Sequence, residues 1–272
     1  MGCSIMTDSQ MIEYLKKTAI DAAYASGKDL MRYFQKPLKI REKKGAGLVT
    51  NADVLAEKAA LKILTRATPD FGIIAEESGR TESKIGRWII DPLDGTTNFV
   101  HGFPMFCVSI AAEWKGEVVV GVIYHPPLKD LYVAIRGKGA RLNGKKIKVS
   151  ETKKIKDSLL TTGFTYRKDQ WLQVEMQAFE SLSKIARAIR RPGSAALDLA
   201  YVACGVFDGF WEQNLSPWDV AAGTLLVQEA GGKVTDFNKK KSHFEDKEII
   251  ASNPKLYSSL QKAVESKYCT LK

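Results

Sequence analysis

The sequence predicts a mixed α/β fold on three patterns: two amphipathic helical stretches at the start, a middle region of short apolar runs separated by tight turns, and strands alternating with helices beyond residue 152. The first helix opens at the cluster Thr7-Asp8-Ser9. Ile12, Leu15, Ile20, Ala23, Leu30, Met31 and Phe34 then recur at roughly helical spacing until Pro37. Thr50 followed by Asp53 reads as a capping box that starts a second helix, with Leu55, Ala59 and Ile63 on one stripe and an end before Pro69. On this reading both helices precede any sheet.

The period then changes. Residues 72–75 and 88–90 are short apolar runs that stop abruptly at acids, as expected of buried strands that deliver side chains to a site at the strand ends. Residues 107–114 and 118–124, joined through Lys115-Gly116, read as a β-hairpin, residues 131–135 as a further strand and Asn143-Gly144 as a tight turn. The first region is therefore two helices on an antiparallel or mixed sheet. Farther on, strands are expected at 159–162, 210–212 and 249–251 and helices at 170–185, 194–204 and 218–230. Pro217 and Pro254 suit first-turn positions, and Gly205 and Gly231-Gly232 suit helix ends. With no flexible linker or internal repeat, the expected halves, residues 1–152 and 153–272, pack as one unit.

At 272 residues, with 44% hydrophobic and 26% charged residues, the chain can bury a sizeable core and falls among ordinary globular proteins. Cys3, Cys107, Cys204 and Cys269 are scattered without a CxxC pair, which argues against a disulfide framework or a zinc site. No signal-peptide core or long apolar span is visible, so a cytoplasmic protein without membrane contact is expected. Met1-Gly2-Cys3 resembles an acylation start, but Met6 stands where that pattern wants Ser or Thr. The net charge of +10 suits either nucleic acid or the steering of phosphorylated metabolites. Its basic runs, at 39–44, 138–148 and 239–241, read as solvated, turn-like surface, and no stacking aromatics interleave them, so a nucleic-acid partner is not expected.

The chemistry gathers in the acids. Glu76-Glu77 ends one strand, Asp91 and Asp94 flank Pro92-Leu93, and Asp219 follows Trp218 at a helix start. Oxygen-rich donor sets suit hard cations such as Mg²⁺. Pro92 stiffens a turn that lets both aspartates and one carbonyl face a single point, and Gly95-Thr96-Thr97-Asn98 adds hydroxyls and backbone N–H groups for an anion. By spacing alone, an Asp-x-x-Asp that merely caps a turn remains open. His101, His125 and His243 are too dispersed for a metal triad, and Trp88, Trp114, Trp211 and Trp218 are expected in the core.

The run Trp88-Ile89-Ile90-Asp91-Pro92-Leu93-Asp94-Gly95-Thr96-Thr97-Asn98-Phe99-Val100-His101-Gly102-Phe103-Pro104 resembles the motif of the inositol monophosphatase family of Mg²⁺-dependent, lithium-sensitive phosphatases. Three further blocks are similar to that family in order and spacing: Leu48-Val49-Thr50-Asn51-Ala52-Asp53, Ala75-Glu76-Glu77-Ser78-Gly79 and Trp218-Asp219-Val220-Ala221-Ala222-Gly223. The resemblance covers roughly residues 10–265. It implies the layered αβαβα sandwich of inositol monophosphatases and fructose-1,6-bisphosphatases, a homodimer, and Mg²⁺-dependent hydrolysis of small phosphate monoesters. Carried over by position, it implies that Glu76, Asp91 and the Leu93 carbonyl bind one Mg²⁺ and that Asp91, Asp94 and Asp219 bind a second. Glu76 and Thr96 would orient the attacking water, with Asp94 alongside them, and Asp219 would matter most for leaving-group departure.

For the substrate, the resemblance implies Asp94, Gly95, Thr96, Thr97 and Asp219 around the phosphate, with Gly193, Ser194, Ala195 and Glu212 facing polyol or sugar hydroxyls. Inositol monophosphate is the expected substrate. Fructose 1,6-bisphosphate or another sugar or nucleotide phosphate is the alternative, and an RNA or transcription-complex partner with secondary phosphatase activity the alternative of another class. Arg191 is left between substrate and subunit contact. One departure stands out: many family members carry an aspartate immediately before Leu-Val-Thr as the partner of the catalytic threonine, and this chain has Gly47. That leaves a third Mg²⁺ and lithium sensitivity open.

Overall fold

A computed structural model describes residues 6–43, 47–164, 170–240 and 244–268. The Met1-Gly2-Cys3 start, Lys44, Lys241, His243 and Cys269 lie outside the described residues.

Helix α1 (Asp8–Tyr33) is capped by Thr7 in a reciprocal box with Gln10, and α2 (Asn51–Ala67) by Thr50 with Asp53. The expectation that no strand separates them is corrected by a small antiparallel ribbon, β1 (Ile40–Lys43) with β2 (Gly47–Thr50), which takes up most of the first basic run. The expected stripe of α2 is also corrected: Leu55 is exposed, and the buried face is Ala52, Asp53, Ala56, Glu57, Ala60 and Leu64. Small alanines let α2 lie close against α1, where the Ser26 hydroxyl donates to the Ala56 carbonyl at 2.7 Å. Close backbone approach outweighs the larger side chains in choosing the face.

An eight-stranded mixed sheet follows. It contains β3 (Gly72–Ala75), β4 (Gly79–Thr81), β5 (Gly86–Asp94), β6 (Cys107–Trp114), β7 (Glu117–His125), β8 (Asp130–Ile135), β9 (Gly139–Leu142) and β10 (Lys145–Lys146), in the order β10-β9-β8-β7-β6-β5-β3-β4. The β6–β7 hairpin turns at Lys115-Gly116 and the β9–β10 hairpin at Asn143-Gly144, each pair at positive φ as a tight primed turn requires. The second basic run thus lies largely on an edge hairpin, where charge also discourages pairing with another sheet. The turn expected across residues 91–94 is instead the irregular end of β5, where the register shifts against β6. A ladder break is where a proline without an N–H can sit in a strand. A five-residue helix, α3 (Thr96–Val100), follows Gly95, whose φ of 96° and missing side chain let the chain pass 2.8 Å from the Met105 carbonyl, measured from a notional Cβ.

The second half supplies β11 (Leu159–Thr162), α4 (Gln170–Ser183), β12 (Ala188–Arg190), α5 (Ala195–Ala203), β13 (Gly209–Gln213), α6 (Pro217–Glu229), β14 (Lys233–Thr235), β15 (Glu248–Ser252) and α7 (Pro254–Tyr268). Its five strands run in the order β12-β11-β13-β15-β14, parallel from β12 to β13 and antiparallel at β15 and β14.

Period-two alternation in the large sheet sorts its side chains into two cores. Trp88, Ile90, Val108, Ile110 and Val122 face α1 and α2. Ile89, Ala111, Ile123 and Tyr132 face α5 and α6, whose other side meets Phe210, Ile249 and Ala251 of the second sheet. A third core joins Leu160, Trp211 and Ile250 to α4 and α7. The layers are αβαβα, as the resemblance implied. Among the described residues no helix is long and apolar enough to cross a membrane.

Gly121 of β7 sets the approach of α6, because a Cβ there would lie 2.7 Å from the Ala222 carbonyl oxygen. Gly121→Val should therefore overpack this layer by about 2–3 kcal/mol, seen as a Tm loss of roughly 5–10 °C. An unchanged Tm in calorimetry would contradict the packing described here.

Candidate active site

The strand ends of the large sheet and the N-termini of α5 and α6 meet around a cleft of about 530 Å³. Its lining includes Glu76, Asp91, Leu93, Asp94, Gly95, Thr96 and Thr97 from the first half. Gly193, Ser194, Ala195, Glu212 and Asp219 come from the second. The structure thus brings every sequence-predicted site residue to one cavity.

Each acid is held differently. Asp91, at the break of β5, is buried and accepts the Leu93 N–H at 2.9 Å, a local turn that points its carboxylate inward. Asp94 Oδ2 accepts the Ser194 hydroxyl at 2.6 Å and the Ala196 N–H at 2.8 Å, so the carboxylate sits on the N-terminus of α5, where aligned peptide dipoles favour negative charge. Asp219, in the first turn of α6, accepts the Ser216 N–H at 2.7 Å. Glu76 follows β3, and its N–H donates to the Ile90 carbonyl at 3.3 Å. Carboxylate oxygens of Asp91, Asp94 and Asp219 lie within 4.8 Å of one another.

Such proximity has an electrostatic consequence. Burial pushes the Asp91 carboxyl well above the usual aspartate range, and repulsion by Glu76, Asp94 and Asp219 adds to it. Asp219 is raised by burial and then by Asp94. Asp94 is raised by burial but restrained by Ser194 and the α5 backbone. An all-oxygen set of mutually repelling carboxylates fits a hard divalent cation, which would replace the protons that otherwise relieve the repulsion.

Across the cleft, Glu212 of β13 is raised by burial and then by Asp219, with Arg191 opposing. Its room is provided by Gly163, where a Cβ would lie 2.1 Å from Glu212 Oε1. The Arg191 guanidinium lies over the Phe164 ring at 5.7 Å and also lines the cavity. Ser194 turns its hydroxyl to Asp94, which leaves it little to offer a ligand directly. Asn98 Nδ2 donates to the Met105 and Pro192 carbonyls at 2.7 and 2.8 Å, tying the loop after Asp94 to the segment before α5.

Gly163, Phe164, Lys247 and Asp53 were not singled out as site residues in the sequence, and Asn98 only as the end of the anion segment. Lys247 and Phe164 line the cleft, and Asp53 Oδ1 accepts the Thr96 hydroxyl at 3.0 Å. Asp53 had a visible signal, its position in the Leu48–Asp53 block, but the capping box accounted for it. Trp218 lines the cavity, whereas Trp88 and Trp211 are core residues as expected. His101 is exposed, and buried His125 bonds through Nε2 to the Pro104 carbonyl at 2.8 Å.

A sequence model of the Inositol monophosphatase family matches residues 11–268. The chain is 42% identical over 255 residues to the Nus factor SuhB of Pseudomonas aeruginosa, covering 91% of this chain and 94% of that protein. It is 42% identical over 249 residues to the inositol-1-monophosphatase of Synechocystis sp., covering 90% and 87%. In structure it is similar to the extragenic suppressor protein suhB from Bartonella henselae, with a TM-score of 0.89 at 41% identity over 92% of this chain and 98% of that one. With the acid cluster at the sheet ends and four motif blocks around one cleft, the chain belongs to the inositol monophosphatase family.

Proposed function

We propose that this chain is a Mg²⁺-dependent phosphatase of small phosphate monoesters, with inositol monophosphate as its reference substrate. The convergence of Asp91, Asp94 and Asp219 beside Glu76, opposite a half-buried Glu212, is the observation that carries the reading. A relative 42% identical that is named an inositol-1-monophosphatase supports it. Fructose 1,6-bisphosphate is the first alternative substrate. A cytoplasmic homodimer, each protomer comprising halves 1–152 and 153–272 packed as one unit, belongs to the same reading.

Glu76, Asp91 and the Leu93 carbonyl would hold one Mg²⁺, and Asp91, Asp94 and Asp219 a second. Bound there, the ions would supply Lewis-acid charge and lower the pKa of water. The remaining work falls to the chain. Glu76 and Thr96 orient a water toward phosphorus. Gly95, Thr96 and Thr97 present backbone N–H groups to the phosphoryl oxygens. Glu212 accepts hydrogen bonds from polyol hydroxyls, while the Gly193–Ala195 backbone limits how the ring sits. Arg191 adds positive charge at the same wall.

A second reading, a nucleic-acid or transcription-complex partner, is favoured by the exposed Lys145 and Lys146 on the edge hairpin and by relatives named Nus factors. Salt-sensitive RNA binding without Mg²⁺-dependent phosphate release would select it over the enzyme.

Three outcomes are expected of the enzyme. Asp94→Asn should lower kcat for inositol 1-phosphate by about 100-fold or more while the circular dichroism spectrum is kept; full turnover would contradict the metal assignment. Glu212→Gln should raise KM for inositol 1-phosphate about tenfold and leave KM for a simple aryl phosphate nearly unchanged. Equal changes for both would remove Glu212 from the polyol wall. Finally, the site carboxyls have folded pKa values raised above their unfolded value of about 3.9, so the metal-free fold holds more protons than the unfolded chain, and its stability falls as pH rises from there through the raised values. Millimolar Mg²⁺ should therefore raise Tm more at about pH 7.5 than at about pH 5.5. A larger gain at the lower pH would contradict ion binding by these groups.

A further inference from the structure

Asn98 of α3 holds the second half of the chain through one atom. Its Nδ2 donates to the Met105 carbonyl at 2.7 Å and, across 94 positions of sequence, to the Pro192 carbonyl at 2.8 Å, with the Gly193 carbonyl third at 3.3 Å. An amide nitrogen has two hydrogens, so the Pro192 and Gly193 oxygens share one. An extended backbone points successive carbonyls to opposite sides, and two that meet one donor require a turn between them. Gly193 supplies it at a φ of 85°. A Cβ there would also lie 3.2 Å from Asn98 Nδ2, so the same glycine leaves room for the contact.

Both peptides are trans, and in a trans peptide the carbonyl and the following N–H point in opposite directions. Turning the Pro192 and Gly193 carbonyls onto Asn98 therefore turns the Gly193 and Ser194 N–H groups away from it. Among the described residues no protein group accepts either N–H, although Ser194 is 1% exposed and both residues line the cleft. Buried N–H groups without an acceptor are rare in folded proteins, which points to an acceptor brought by a ligand. The neighbouring donors, the Ser194 hydroxyl and the Ala196 N–H, are both taken by Asp94 and cannot serve instead.

We propose that Asn98 is the positioning residue for the substrate wall: by holding the Pro192 and Gly193 carbonyls it aims the Gly193 and Ser194 N–H groups into the cleft, where they donate to a hydroxyl oxygen of a polyol phosphate. The inference rests on the phosphatase reading above. It goes beyond that reading by giving selectivity in the second half of the chain to a side chain of the first. No covalent bond is made or broken by the contact.

Phosphate release at saturating Mg²⁺, from inositol 1-phosphate and a simple aryl phosphate side by side, tests it. Asn98→Ala should lower the ratio of kcat/KM for inositol 1-phosphate to that for the aryl phosphate about tenfold, chiefly through KM. Gly193→Ala leaves the Met105 bond in place but disfavours the φ of 85° and crowds Nδ2, so it should lower the ratio similarly with KM for the aryl phosphate within about twofold of wild type. It carries the test if N98A does not fold. A second readout needs no turnover. Adding myo-inositol with Mg²⁺ and inorganic phosphate should move the Gly193 and Ser194 amide proton resonances downfield in the wild-type chain and leave them in place in N98A. A ratio within about twofold of wild type in both variants, or wild-type amide resonances that myo-inositol does not move, would overturn the proposal. A wild-type chain without Mg²⁺-dependent phosphate release would instead overturn the parent reading.

Discussion

Carboxylates placed a few ångströms apart, one buried and two half-buried, repel one another, and the rest of this molecule is arranged to keep them together. Each has part of its charge met by backbone or hydroxyl donors. Asp91 uses the Leu93 N–H, Asp94 the Ser194 hydroxyl and Ala196 N–H, and Asp219 the Ser216 N–H. None of these donors is a basic side chain. A lysine or arginine in their place would satisfy the acids and remove the demand for a cation. Dipoles and N–H groups instead steady the geometry and leave the charge uncompensated on the side that faces the cleft.

This arrangement requires two helix N-termini to reach the end of a sheet from the opposite half of the chain. The middle layer does so because α5 and α6 are apolar on nearly all sides and are buried between the sheets. Glycines set the spacings. Gly121 lets α6 approach β7, Gly223 lets it approach Leu199 of α5, and Gly163 clears the volume that Glu212 occupies. A side chain at Gly121 or Gly223 would move a functional acid without touching it, and one at Gly163 would meet the Glu212 carboxylate directly, which links packing to chemistry more directly than burial area does.

Much of this could be read in the sequence, for identifiable reasons. β3, β6 and β11 have their expected bounds because each is a short apolar run closed by an acid, a turn or a polar stretch. The site acids could be listed because hard-cation chemistry needs oxygen donors, and the family blocks assigned them to one cleft. What stayed hidden was set by neighbours distant in sequence. The buried face of α2 follows from alanines fitting α1, which a hydrophobic stripe does not reveal. Strand β1 of the small ribbon is made of residues that read equally well as solvated charge, and β2 reads only as part of a motif block. Gly163 has meaning only once Glu212 is beside it, and Asp53 looked fully occupied as a cap until Thr96 was placed on its second oxygen.

That double use of one carboxylate ties a local melting event to the cleft. Helix ends are where secondary structure opens first, at free energies well below that of global unfolding. Here the first turn of α2 is secured by the same Asp53 side chain that touches Thr96, so fraying of that turn releases the threonine while both sheets remain intact. A change that opens that turn therefore reaches the cleft as well as the helix.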